Sequence, residues 1–348
     1  MSAASVPFGQ TPDGHPAQLL TLENSELRVR ITDFGGRIVS IEMLRPKTAD
    51  FDVLLGFDEV SQYAQAGGAF GALLGRNANR IARGELTIDG RQYQLATNDR
   101  GATLHGGPHG FDMVFWNVAS ATQDELVLAN VSPDGDQGFP GELRVEARYR
   151  VTGSSLSLEF RAETSATTIA SFSAHPYFNL ADVASGGILG HEVTIAADAF
   201  LPTDADQIPT GEIRSLDGTS FDFRQPMTIN ARIRRADPQL LHGQGYDHYY
   251  VLPPHEGDEP RFAARSRDPG SGRFVEIHTT QPGLQFYTGN QLKGSVAGRG
   301  GIIYRQSAGL AFEPQGFPDA PHHPNFPSTM LRPGQTYRET IEYRFGLT

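Results

Sequence analysis

Six segments of this chain combine side chains that move protons with side chains that hold hydroxyl groups. They are Gly75–Ala82 (GRNANRIA), Thr103–Gly107 (TLHGG), Ala174–Leu180 (AHPYFNL), Phe312–Asp319 (FEPQGFPD), Gly245–His248 (GYDH) and Gln281–Asn290 (QPGLQFYTGN). Each sets histidine, carboxylate, amide or arginine groups close to aromatic rings or glycines. A neutral sugar asks for this mixture: its hydroxyls need directional donors and acceptors, and the C–H faces of its ring pack on aromatics. A histidine and a glutamate in one such pocket also form an acid–base pair titrating on either side of neutrality.

The elements that must carry these groups read as strands. From Leu143 to Val151 apolar and polar residues alternate, with Leu143, Val145, Ala147, Tyr149 and Val151 on one face and Arg144, Glu146, Arg148 and Arg150 on the other. That is the period of a half-buried strand. After a break at Thr152–Ser155 the alternation resumes with Leu156, Leu158 and Phe160, which predicts a hairpin. Asp89-Gly90 predicts a second hairpin, since this pair tolerates the positive φ angles of a tight turn. Leu27, Val29 and Ile31 repeat the pattern early, as do Ile341, Tyr343 and Phe345 late. Two short helices are predicted, over Glu59–Ala66 and after Pro238. The 39 Gly and 23 Pro are spread through the chain and suit many turns between short strands. The expectation is an all-β protein, a large antiparallel sandwich, with residues 1–348 forming one domain.

Composition excludes several chemistries. With no cysteine there is no disulfide, thiol nucleophile or thiolate metal site, which fits a reducing, cytoplasmic setting. A formal net charge of −11 repels nucleic acid and anionic lipid, so neither is an expected partner. The N-terminus lacks the pattern of a secretory signal, and no apolar run is long enough to span a membrane. There is no G-x-S-x-G elbow, and Gly106-Gly107 opens no helix that could cradle phosphate. His105 and His109 are separated by Gly106, Gly107 and Pro108, and the adjacent His322 and His323 would point apart on a strand, so no metal site is expected.

The strings GRNANRIA, LHGG, HPYFNL, YDH, GLQFYTGN and FPDAPHHPNFPS, in that order over nearly the whole chain, resemble the aldose 1-epimerase (galactose mutarotase) family. Further matches are Ile31-Thr32-Asp33-Phe34-Gly35-Gly36, Leu55-Gly56-Phe57-Asp58 and Leu331-Arg332-Pro333-Gly334. The resemblance implies a β-supersandwich and interconversion of the α and β anomers of free aldoses, with neither metal nor organic cofactor. It makes His175 the general acid and Glu313 the general base. Asn79, Arg80, His105, Tyr177, Asp247 and Gln285 fall on its sugar-binding positions. The expected partner is a small free aldose, and the expected assembly a monomer or homodimer.

Two departures bear on the pocket. Pro314 follows Glu313 where the family commonly has threonine, removing a backbone donor and holding Glu313 in extended conformations. Tyr249 replaces the small polar residue often found after Asp-His and is expected to reshape a pocket wall. His175 must be protonated to act as the acid; Asp247 either supports that charge or holds sugar hydroxyls. Two other functions compete. Arg76 and Arg80 read as phosphate ligands would make the substrate a hexose 6-phosphate, and without catalysis the chain would be a sugar-binding module. More prosaically, the arginines from Arg76 to Arg83 could form a solvated face, Phe172 and Phe178 belong to the core, and Trp116 to the core or the pocket wall.

Overall fold

The structure, a computed structural model, describes residues 3–44, 51–181, 184 and 187–348. Alternation dictates its largest element, a nine-stranded antiparallel sheet. Leu143–Thr152 forms a strand whose residues are alternately buried and solvent-facing, and it pairs with Ser155–Thr164 across the tight turn at Gly153-Ser154. Tyr337–Leu347 lies beside that hairpin and brings the C-terminal end of the chain to the middle of the sheet. Arginines and glutamates line the outer face.

Two five-stranded antiparallel sheets complete the framework. One runs through Ala4–Gln10, Pro16–Glu23, Leu27–Thr32, Ile38–Met43 and Phe51–Asp52 in sequence order. The other has the order Arg214–Ser215, Ala199–Leu201, Asp247–Val251, Gly283–Tyr287, Ala311–Gln315. A continuous apolar core joins all three sheets: Val29 and Ile41 from the first small sheet, Tyr149, Phe160 and Tyr343 from the large one, and Tyr250, Phe286 and Phe312 from the second small one. The fold is therefore an antiparallel β-supersandwich.

The local expectations are met where they rest on short-range physics. Asp89 (φ 49°) and Gly90 (φ 79°) make the turn between Glu85–Ile88 and Arg91–Gln94. The helices are Val60–Ala66 and Pro238–Gly243; the Asp237 carboxylate accepts from the Gln239 amide at 3.0 Å, and Pro238 occupies the first turn. Phe172 and Phe178 are core residues. So is Trp116, whose indole N–H donates to the Phe111 carbonyl at 3.1 Å.

Candidate active site

The second small sheet sorts its side chains by face. Tyr250, Leu284, Phe286 and Phe312 enter the core. Asp247, Gln285 and Glu313 sit on the opposite face of three neighbouring strands, with Gln285 directly across from Glu313 and Asp247 across from Tyr287. Pro314 keeps its place in this ladder opposite Leu284, and its strand is the last of the sheet, where a missing N–H is tolerated.

A two-stranded ribbon supplies the facing wall. Arg80 pairs with Leu104 and Ile81 with Thr103. At its end Asn79 and His105 both take left-handed backbone conformations (φ 63° and 54°). The His105 N–H donates to the Asn79 carbonyl at 3.1 Å, and the Asn79 N–H donates to His105 Nδ1 at the same distance. Because Nδ1 accepts, a neutral His105 carries its proton on Nε2 and offers a donor there. The chain then turns on Gly106 (φ 93°), where a Cβ would stand 1.9 Å from the Gly75 carbonyl oxygen.

His175 follows the short strand Ser173–Ala174. Its N–H donates to the Ala72 carbonyl and its carbonyl accepts from Gly71, both at 2.9 Å. Its ring lies 4.6 Å from that of Tyr177 and 5.9 Å from that of His105. His175 Nε2 stands 3.5 Å from Glu313 Oε1, with both side chains buried. These walls enclose a cavity of about 480 Å³ lined by Asn79, Arg80, His105, His175, Tyr177, Asp247 and Glu313. Phe57, Phe70 and Tyr304 add aromatic surface. Seven of the eight residues named from the sequence thus line one cavity. The eighth, Gln285, stands behind Asp247 and donates to its Oδ1 at 2.6 Å.

Burial governs the charges. It pushes the His175 imidazole down to about 4, and the buried Arg37 guanidinium adds to this. It pushes the Glu313 carboxyl well above the usual range; the Asp247 charge adds and Arg80 opposes. It also lowers His105, with His175 and Arg80 contributing. Burial thus draws a proton shared by the pair toward Glu313 and away from His175. Ligand atoms of His105, His175 and Glu313 lie within 4.8 Å of one another, but with Nδ1 of His105 accepting from Asn79 its Nε2 carries the proton and has no lone pair for a cation. The Arg80 charge in the same cavity disfavours a second cation.

Several expectations are corrected. Of the two roles open to Asp247, support of a charged His175 is not the one the surroundings favour: its carboxylate oxygens accept from Gln207 and Gln285, and its charge acts on Glu313. Tyr249 does not shape the pocket; it lies further along its strand, packs on Phe317 at 4.9 Å and donates to the Gln315 carbonyl. Arg76 is neither solvated nor a phosphate ligand. It is buried, and its guanidinium is spent on Ser132 and on the carbonyls of Ser132, Pro133, Pro140 and Gly141. Arg80 is also buried, bound to Asp99 at 2.8 Å, whereas Arg83 is solvent-facing as expected. His322 and His323 do not diverge on a strand: a 3₁₀ turn brings both to Asp319, at 2.6 and 3.4 Å.

Sequence reasoning missed Asn98, which lines the cavity, and Asp99 and Gln207, which hold Arg80. Asn98 and Asp99 belong to a turn before the LHGG string and were open to notice there. Gln207 lies in a segment with no chemical pattern.

Comparison with known proteins gives a consistent picture. Residues 18–344 match the family described as aldose 1-epimerase. The chain is 42% identical to galactose mutarotase of Bos taurus over 348 residues, covering 100% of this chain and 99% of that one. It is 36% identical to aldose 1-epimerase of Escherichia coli K12 over 338 residues, covering 96% of each. Among solved structures, an aldose epimerase homologue from C. elegans superposes with a TM-score of 0.86 at 26% identity, over 95% of this chain and 99% of that one.

Proposed function

The chain belongs to the aldose 1-epimerase family, and from that premise we propose that His175 and Glu313 open and reclose the ring of a free aldose, as acid and base. The protein is an isomerase that interconverts the α and β anomers of free aldoses. The observation that carries the residue assignment is the buried His175–Glu313 pair, 3.5 Å apart, in a cavity walled by hydroxyl-binding groups.

The pair needs one proton. The reactive form of the complex with cyclic sugar carries that proton on His175, beside the ring oxygen O5, and leaves Glu313 a carboxylate beside the C1 hydroxyl. Glu313 takes the hydroxyl proton, C1 becomes a carbonyl, the C1–O5 bond breaks, and O5 takes the proton of His175. Open-chain sugar then lies beside a neutral imidazole and a neutral carboxyl. Burial favours this neutral pair over the charged one, so the dry pocket stabilises the ring-opened state relative to the cyclic one. Rotation about C1–C2 presents the other carbonyl face, and the same transfers in reverse close the ring to the other anomer.

Asn79, Arg80, His105, Tyr177 and Asp247 bind hydroxyls in this reading, and Gln285 holds Asp247. With Arg76 occupied by backbone carbonyls, a 6-phosphate loses one of its two candidate ligands. Residues 1–348 act as one cytoplasmic domain, as monomer or homodimer, in the same proposal. Polarimetry on freshly dissolved α-glucose and α-galactose tests it: the protein is expected to speed the optical change. No acceleration would leave a sugar-binding module, and a marked preference for glucose 6-phosphate would move the substrate class.

A further inference from the structure

On the reading that this cavity is a mutarotase site, we propose that Gln207 is a positioning residue: its amide stands between the Asp247 carboxylate and the Arg80 and Arg100 guanidiniums and keeps either cation from pairing with Asp247. Gln207 lies in the loop joining Ala199–Leu201 to Arg214–Ser215. The loop is closed by bonds from the Asp204 N–H to the Ile208 carbonyl (2.9 Å) and from the Gln207 N–H to the Asp204 carbonyl (3.1 Å). Gln207 takes a left-handed φ of 63°, which a non-glycine residue adopts only at a steric cost. That conformation places its side chain in the interior, 3% exposed.

Both ends of the amide are engaged. Nε2 donates to Asp247 Oδ2 at 2.6 Å, and Oε1 accepts from Arg100 at 2.9 Å and from Arg80 at 3.2 Å. A carboxylate only accepts and a guanidinium only donates, so the amide fits one way round. Gln285 occupies the other oxygen of Asp247. Two neutral donors thus hold Asp247, and among the described residues no cation forms an ion pair with it; Arg80 pairs with Asp99 instead.

The consequence falls on Glu313. It is faced by Asp247, Arg80, His175, Tyr177, Tyr287 and Tyr343. Of these, Asp247 is the anion, and fixed in place it raises the affinity of Glu313 for the proton that the pair must share. Without the amide spacer, Arg80 or Arg100 closes on Asp247 and cancels that charge.

Two variants of the full chain test this. Gln207→Met keeps the bulk and removes both polar functions. It is expected to lower the alkaline limb of kcat/KM by about 1 pH unit and to raise KM roughly 10-fold, with a smaller change in kcat. Gln207→Glu keeps the acceptor for the arginines, loses the donor to Asp247 and adds a negative charge, so the alkaline limb is expected to rise. A purely structural role would not move the limb in opposite directions. A ¹³C NMR titration of the Glu313 carboxyl in wild type and variants reads the same shifts without turnover. An unmoved Glu313 titration in both variants, or shifts of the same sign, overturns the inference. Wild-type protein that fails to mutarotate while the two titrations diverge as expected overturns the functional reading and leaves the role of Gln207 standing.

Discussion

In the proposed mechanism His175 and Glu313 serve as acid and base because burial reverses their ordinary order of proton affinity. With ordinary values the carboxyl would lose its proton before the imidazole, and the pair would hold one proton only over a narrow acidic interval. Burial lowers the imidazole to about 4 and raises the carboxyl well above its usual range, so the one-proton state extends from about 4 up to the raised value of the carboxyl. Below the His175 value both groups are protonated and no base remains; above the Glu313 value both are bare and no acid remains. The pH profile of kcat/KM should therefore show an acid limb near 4 and an alkaline limb well above the usual range for glutamate. A fall in activity already complete at pH 6 on the acid side would contradict this order. His175→Ala and Glu313→Ala are each expected to lower the rate at saturating sugar by at least about 10²-fold, measured by polarimetry. Unchanged turnover in the Glu313 variant would remove the base assignment. Arg80→Ala is expected to raise KM more than it lowers kcat, because its guanidinium holds and orients instead of transferring protons. Lost turnover with intact sugar affinity would contradict that role.

Two short elements convert sequence strings into geometry. The ribbon of Arg80–Ile81 and Thr103–Leu104 locks Asn79 to His105 through reciprocal backbone and ring contacts. LHGG reads as a tight turn from sequence alone, because the glycines supply positive φ. That the turn also fixes which nitrogen of His105 carries the proton is visible only once Asn79 lies beside it. Arg76 carries the complementary lesson. In GRNANRIA it looks as chemical as Arg80, yet four residues on, the chain has turned from the interior into the cavity. Arg76→Met leaves several buried carbonyls without donors and should cost about 3 kcal/mol or more of stability in a denaturant titration. A stability change under about 1 kcal/mol would show that those bonds count for little. Sugar affinity in the folded fraction should change little, since Arg76 does not line the cavity.

Over the whole molecule, one apolar core runs through the large sheet and both small ones, so the pocket wall and the framework should unfold together. A single calorimetric transition, shifted upward by saturating sugar, is the expected outcome. Two separable transitions would divide the chain into independently folding parts. The fold class was legible because alternation such as Leu143 to Val151 states which face of a strand meets the core, a period-two signal that needs no distant partner. The proposed acid–base pair and most of the residues lining its cavity were legible as residue types within strings that resemble a known family. Their surroundings were not. Whether Asp247 acts on His175 or on Glu313, whether Arg76 faces solvent or carbonyls, and where His322 and Tyr249 point all depend on contacts between segments far apart in the chain. Gln207 and Asp247 meet across 40 positions, at 2.6 Å. The sequence by itself determined which groups are present and which strands carry them. Tertiary structure alone decided which charges are buried together, because desolvation and Coulomb energies depend on separations in space that no local pattern encodes.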